Sequence, residues 1–376
     1  MTTDEGRQLA HVEGRELPSE DILVRDVRPV PLPLRLVYLV VGLALFVTAL
    51  GLMKEGAKEL IPSLEGSVFT DNAWSTLGLG WLGACLVLSG SPVAASSLTL
   101  LEGGAITRDQ SFTMLTGSRL GAAFVVLVVG SLYAVRNRHQ TSRRGPVSIG
   151  ILSLLTTATV YVPGAVVGYI MLRRGLLDDF DIGTSPGLTS LTDTAFGWAV
   201  DVLKDVAPDW SLFPVGLLLL LLGFSVFDRV LPTVGSEQLD QRENSWYTRK
   251  WPMFLAGCGV TLLTLSVAVS LTVLVPLVAR GVLRRANTIP YIMGANITTL
   301  ADTLVAAIVI GNQDAVRVVV AVTVAVTVWT LLLLITAYPL LRRLILGTAR
   351  RVLGSQVRLG AFALCLLAVP LALIAV

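Results

Sequence analysis

The hydrophobic residues of this chain are gathered into runs long enough to cross a membrane. Leu34–Met53, Leu120–Val135, Pro146–Leu172, Leu212–Val230, Val318–Leu341 and Leu359–Val376 are almost free of charge, and Ala295–Gly311 is a shorter run of the same kind. A helix needs about 20 apolar residues to cross bilayer hydrocarbon. In lipid every backbone polar group must also be satisfied within the protein, which a helix does on its own. Composition agrees, since 53% of residues are hydrophobic, only 15% are charged and the mean hydropathy is +0.74. The expected fold is all-α and integral to the membrane, a polytopic helical bundle.

Two apolar regions do not read as plain spans. Residues 78–106 and 254–283 are interrupted midway by Gly, Pro and small hydroxylated residues, with Pro92 and Pro276 each removing a backbone donor. A chain can break at membrane depth only where protein or a water-lined cavity satisfies the freed groups. Both regions are expected to be re-entrant helical hairpins.

These regions also resemble each other at a constant offset of 177 residues. Gly104 falls on Gly281, Arg108 on Arg285, Gly117 on Gly294, and Leu88-Ser89 on Leu265-Ser266. Upstream, Gly42 and Phe46 match Gly223 and Phe227 at a slightly different offset. The expected organisation is a cytoplasmic tail (1–33), a first membrane repeat (34–172), an acidic extracytoplasmic connector (173–210), a second repeat (211–343), and a basic loop with a final helix (344–376).

Charge assigns opposite directions to the two repeats. Arg136–Arg144 carries four arginines and His139, and Arg342–Arg358 carries five arginines and no acid, so both belong on the cytoplasmic side. Residues 178–209 hold Asp178, Asp179, Asp181, Asp193, Asp201, Asp205 and Asp209 against the single Lys204, so this part of the connector belongs outside. With the hairpins counted as non-crossing, repeat one starts inside and ends outside, and repeat two does the reverse. Inverted repeats joined by broken helices place a binding site near the bilayer midplane.

Other classes fit poorly. The chain has two histidines and no HExxH, GxSxG or paired intramembrane aspartates, so no enzyme is expected. Cys85, Cys258 and Cys365 lie in apolar segments without CxxC spacing and read as small packing residues, with no metal or other cofactor implied. The mild basic excess, +3, comes from the arginine loops and gives no nucleic-acid patch. The first apolar run begins too late for a cleaved signal peptide. Lys54, Glu55, Lys58 and Glu59 read as i,i+4 charge pairs on a solvated helix face.

The motifs ALGLMKEGAKEL at 49–60 and GANITTL at 294–300, with a hairpin between helices in each half, resemble the type II sodium-phosphate cotransporter family. In that family each hairpin carries Gln-Ser-Ser-Ser, and a following helix opens with Gly-Ala-Asn-Ile-Gly-Thr. Here the hairpins carry Leu88-Ser89-Gly90-Ser91 and Leu265-Ser266-Val267-Ala268, without either glutamine. Gly294-Ala295-Asn296-Ile297 is kept, with Thr298 at the family Gly and Thr299 at a family Thr, and its counterpart in the first half is Gly117-Ser118-Arg119-Leu120-Gly121. The resemblance implies a sodium-coupled symporter with phosphate as substrate.

The residues at the breaks are the candidate ligands. Ser89, Ser266 and Ser270 offer hydroxyls, and the breaks offer carbonyls, that suit sodium as coupling ion; Asp302 is the one acid well inside an apparent span and joins them as a cation ligand. Ser91, Asn296, Thr298 and Thr299 are candidate substrate ligands beside a glycine that would open a new helix. Arg119, replacing Asn in the family pattern, reads either as a guanidinium fork for the anion or as a helix-end anchor that snorkels to the interface. The expected protein is a multi-pass cell-membrane transporter of a small anion with a cytoplasmic N-terminus; a homodimer is left open. A transport-inactive or regulatory protein on the same fold, or an anion channel, is the alternative.

Overall fold

Helices start where the sequence supplies a side chain for the free amides of the first turn. Asn72 accepts from Trp74 N at 2.7 Å and Ser75 N at 3.0 Å, and opens a helix at Ala73–Val87. Thr107 and Gln110 form a reciprocal capping box ahead of Arg108–Ala122. Asn312 caps Gln313–Leu332 through Ala315 N. The computed structural model describes residues 32–64, 67–136, 144–179, 197–230, 249–279 and 283–376. Among these all regular structure is helical.

In chain order the helices are α1 (Leu32–Leu64), α2 (Ala73–Val87), α3 (Ser91–Glu102), α4 (Arg108–Ala122), α5 (Phe124–Arg136) and α6 (Arg144–Arg173). A short helix at 197–206 and a 3-10 turn, Asp209–Ser211, lead into α7 (Leu212–Val230). There follow α8 (Lys250–Thr264), α9 (Val267–Thr272), α10 (Leu274–Ala279), α11 (Arg285–Thr298), α12 (Leu300–Ile310), α13 (Gln313–Leu332), a π turn at Leu333–Ala337, α14 (Tyr338–Leu353) and α15 (Gln356–Ile374). Contacts divide the chain into Met1–Val37, described only as the opening turns of α1, and Tyr38–Val376, which holds everything below.

Among the described residues, seven segments are long and apolar enough to span a membrane: Leu36–Leu64, Arg108–Arg136, Gly145–Arg173, Asp209–Val226, Arg285–Ile310, Gln313–Leu353 and Gln356–Ile374. Each overlaps one of the seven apolar runs. Polarity is arranged for lipid: Leu132, Leu218 and Leu364 are exposed, while Ser97, Thr99, Ser111 and Thr116 are buried. The buried hydroxyls turn onto backbone carbonyls, as in Ser97 to Ala94 O at 2.7 Å and Thr116 to Phe112 O at 2.8 Å.

The apolar interruptions become helix breaks of one design. α2 and α8 are both 15 residues long and start 177 positions apart. Each ends on a leucine in the left-handed region, Leu88 at φ 56° and Leu265 at φ 46°, the two non-glycine residues with positive φ among those described. A bulky side chain is uncommon there. The two helix pairs that hold these breaks use equivalent glycines. A Cβ at Gly80 would overlap Met114 O, and one at Gly257 would overlap Tyr291 O; Gly117 meets Leu77 O as Gly294 meets Phe254 O. Every residue in these two sets has its counterpart 177 positions away, so the repeat extends to backbone contacts.

Helices of the two halves also pack on each other, antiparallel. On α1 and α7, Gly42 O lies 3.4 Å from the Cβ position of Gly223, and Ala49 O and Met53 N lie 3.0 Å from that of Gly216. On α6 and α13, Gly164 faces Val326, and Gly168 faces Ala321 O and Ala325. Residue numbers rise along one helix of each pair as they fall along the other.

Several expectations are corrected. Gly294 does not open a helix, since α11 starts at Arg285 and runs through it; the glycine is there for the close approach of Phe254 O. Arg119 sits in the last turn of α4, because the Thr107 capping box starts that helix well upstream. Lys54 pairs with Glu102 at the end of α3 (2.7 Å) and Glu55 with Lys204 (3.3 Å), which bridge segments, while Glu55 and Lys58 (2.9 Å) pair at i,i+3 rather than i,i+4. The arginine-rich stretch from Arg342 is helical to Leu353, with Leu341, Ile345 and Ala349 on its buried side. The tail before residue 32 and most of the loop Arg136–Arg144 lie outside the described residues, as does the connector at 180–196.

Candidate binding site at the two helix breaks

The two breaks meet. A cavity of about 120 Å³ is lined by Ser89 and Ser91 from the first break and by Thr264, Leu265 and Ser266 from the second. Asp302 on α12 completes its polar part. Leu43, Phe46, Phe224 and Val305 supply an apolar wall, with the two phenylalanine rings edge to face at 5.8 Å. Four helix ends therefore converge here: the C-terminal ends of α2 and α8, where the helix dipole is negative, and the N-terminal ends of α3 and α9, where it is positive. Ser266 spends its Oγ as the N-cap of α9, accepting from Val269 N at 3.3 Å. Gly90 caps α3 with no side chain, which leaves the first turn of α3 open at Ser91.

The remaining candidates stand behind this cavity. Arg119 is 2% exposed. Its Nη1 donates to Thr299 Oγ1 at 3.2 Å, one Nη2 hydrogen goes to Thr303 Oγ1, and Nη2 lies 3.7 Å from Asp302 Oδ1. Thr303 passes its own hydroxyl hydrogen to Asp302 Oδ1 at 2.8 Å. The guanidinium is thus held inside the protein by groups of the other half. Arg119 Nε and Asp302 Oδ2 are buried without a hydrogen-bond partner.

Asn296 is held by α6, its Nδ2 donating to Thr157 Oγ1 at 3.1 Å while Tyr161 donates to its carbonyl at 2.7 Å. Thr298 donates to Cys258 O at 3.0 Å. Ser270 accepts from Thr261 at 2.7 Å and meets the Tyr291 hydroxyl at 2.9 Å, and it is not among the residues that line the cavity. Of the nine sequence candidates, Ser89, Ser91, Ser266 and Asp302 are brought to one cavity, and the rest are engaged by protein partners. Thr264, Thr303, Thr157 and Tyr161 were missed. The hydroxyl cluster Thr156-Thr157-Ala158-Thr159 in the middle of a span was the available signal for Thr157.

A larger cavity of about 400 Å³ lies between α2, α4 and α6, walled by Trp74, Leu77, Phe112 and Ile170. Its lining is apolar and carries no charged group, so it does not share the chemistry of the breaks.

The family model described as Na+/Pi-cotransporter matches residues 219–375. Over those residues the chain is similar to the Na+/Pi-cotransporter family. The match starts within α7 and includes Ser266, Asn296 and Asp302, so the second break and the cavity's acid both lie inside the matched region. Ser89, Ser91 and Arg119 lie outside it. The Na+/Pi-cotransporters are a family of transporters and not of enzymes, and with the seven apolar spans the chain is a multi-pass membrane protein. No curated protein and no solved structure matches the chain.

Proposed function

We propose that this chain is a sodium-coupled secondary transporter of a small anion, phosphate before sulfate or a small carboxylate, working by alternating access. The observation that carries the reading is the one cavity to which both helix breaks deliver hydroxyls and chain ends, in a chain whose second half is similar to the Na+/Pi-cotransporter family. Carbonyl-bearing ends suit a small hard cation, and amide-bearing ends suit an anion. In this reading Ser89, Ser266 and the free oxygen of Asp302 take sodium. Ser91 and the first-turn amides of α3 take the anion. Asn296, Thr298, Thr299, Ser270 and Arg119, all engaged by protein groups, hold these elements in position.

The two halves are read as inverted repeats with re-entrant hairpins, the arginine-rich Arg136–Arg144 and Arg342–Arg358 being cytoplasmic and the acidic connector outside. Two facts support this. Counterpart helices α1 and α7 run antiparallel, and their counterpart glycines, Gly42 and Gly223, meet at the crossing. Equivalent residues touching each other is what a two-fold axis in the membrane plane produces. The tips of the two hairpins, likewise equivalent, share the cavity.

The test is uptake of radiolabelled phosphate into liposomes under an inward sodium gradient, with sulfate and small carboxylates as competitors. Accumulation that needs the gradient, is lost when choline replaces sodium, and is competed best by unlabelled phosphate is expected. Protein that reconstitutes folded and drives accumulation of none of these anions would overturn the reading.

A further inference from the structure

Arg119 and Asn296 occupy corresponding positions in the two halves, yet their side chains do different things. Asn296 pairs with Thr157 on a neighbouring helix of the bundle. Arg119 reaches across to α12 and ends among three oxygens, Thr299 Oγ1, Thr303 Oγ1 and Asp302 Oδ1. The hydroxyls of Thr299, the residue before α12, and of Thr303, one turn on, with a carboxylate oxygen beside them, are oxygen donors of the kind a hard cation takes. All three groups are buried.

We infer that the Arg119 guanidinium is a tethered cation, permanently filling a site for a free metal cation that these three oxygens would otherwise form. The reasoning is electrostatic. Asp302 is nearly inaccessible at 6% exposure, and an isolated buried carboxylate is very costly to keep ionised. Some cation has to stand beside it. A guanidinium is always charged and cannot leave, so the place is filled in every conformation and contributes nothing to an ion gradient. Its hydrogens take up the same oxygen lone pairs that a sodium ion would. On the function proposed above, this lowers the number of coupling ions by one; the site itself does not depend on that reading.

Replacing Arg119 by the residue of the other half tests this. Purified R119N and wild type are compared in detergent for equilibrium binding of radiolabelled sodium and for thermal unfolding in sodium and in choline chloride. R119N is expected to bind one more sodium per chain than wild type and to gain a rise in Tm with sodium concentration, by the mass action of a ligand that binds only the folded state. R119N recovered folded in sodium and not in choline supports the inference as well. R119K, which keeps the charge, and R119N/D302N, which removes the need for one, are expected to show no added site. R119N equally stable, or equally unstable, in the two salts, with no added sodium, overturns the inference. Wild type that binds no sodium, together with R119N that binds one, would sink the proposed coupling and leave the tethered cation standing.

Discussion

The two helix breaks have nearly the same backbone and offer different atoms. Each follows a 15-residue helix and turns on a leucine at positive φ, and each is clamped by a glycine against a carbonyl of the helix behind it. Beyond the turn they diverge. The first continues as one 12-residue helix, α3, capped by Gly90, whereas the second continues as two six-residue helices, α9 and α10, the first capped by Ser266. The difference teaches that the shape of a break is set by backbone packing, which both copies keep. What it presents to the cavity is set by one or two side chains, which differ between the copies. The same split appears behind the breaks, where equivalent positions hold Arg119 and Asn296 with unrelated partners.

The most complete test of this comparison concerns direction. In a cysteine-free background, a cysteine at Ser142 is expected to react with an impermeant thiol reagent only from the cytoplasmic face, and one at Ser190 only from outside. Both residues lie outside the described parts of the chain. Labelling of the two from the same side would end the inverted relation between the halves.

The equivalence of the clamps is broken or sharpened by bulk. Gly80→Val and Gly257→Val each push a branched side chain into a carbonyl of the neighbouring helix, Met114 O or Tyr291 O. Overpacking costs about 1–3 kcal/mol even where side chains can yield, and backbone yields less. Both variants are expected to lose about tenfold or more of the monodisperse protein extracted from membranes, since about 1.4 kcal/mol is a factor of ten in a folding equilibrium. A harmless Gly80→Val beside a destructive Gly257→Val would show that the halves are not equivalent in packing.

The smallest effect separates the serines. Ser89→Ala and Ser266→Ala are each expected to weaken the apparent sodium affinity of uptake, and the double variant to weaken it further. Only Ser266→Ala should also lower thermal stability, by about 1 kcal/mol, because only Ser266 caps a helix. Unchanged sodium dependence in the double variant would reduce both residues to packing.

How far the sequence went is clearest at Ser89 and Ser266. Their place in an apolar run broken by Gly, Pro and hydroxyls is a local pattern, and local patterns fixed the spans, the interruptions and the 177-residue repeat before any contact was known. Length and hydropathy suffice for that because lipid leaves a buried chain few options but helix. Asp302 was legible for the same reason, as a charge where charge is expensive. Helix starts were less so: the Thr107 capping box moved a boundary by a dozen residues, and with it the position of Arg119 within its helix.

Which groups face one another was decided only in three dimensions. The tips carrying Ser89 and Ser266 share a cavity because counterpart helices of the two halves cross antiparallel at counterpart glycines. Ser270, a near neighbour of Ser266 in sequence, turns to Thr261 and Tyr291 instead, since it lies a full turn inside α9 and the cavity touches that helix only at its N-cap. Arg119, at the edge of one apparent span, and Asp302, inside another far along the chain, became a buried pair at 3.7 Å. Sequence could say that each charge needed a partner, because an unpaired charge is costly in a low dielectric. The packing of α12 against α3 and α13, which leaves it within reach of the Arg119 side chain on α4, chose which partner it was.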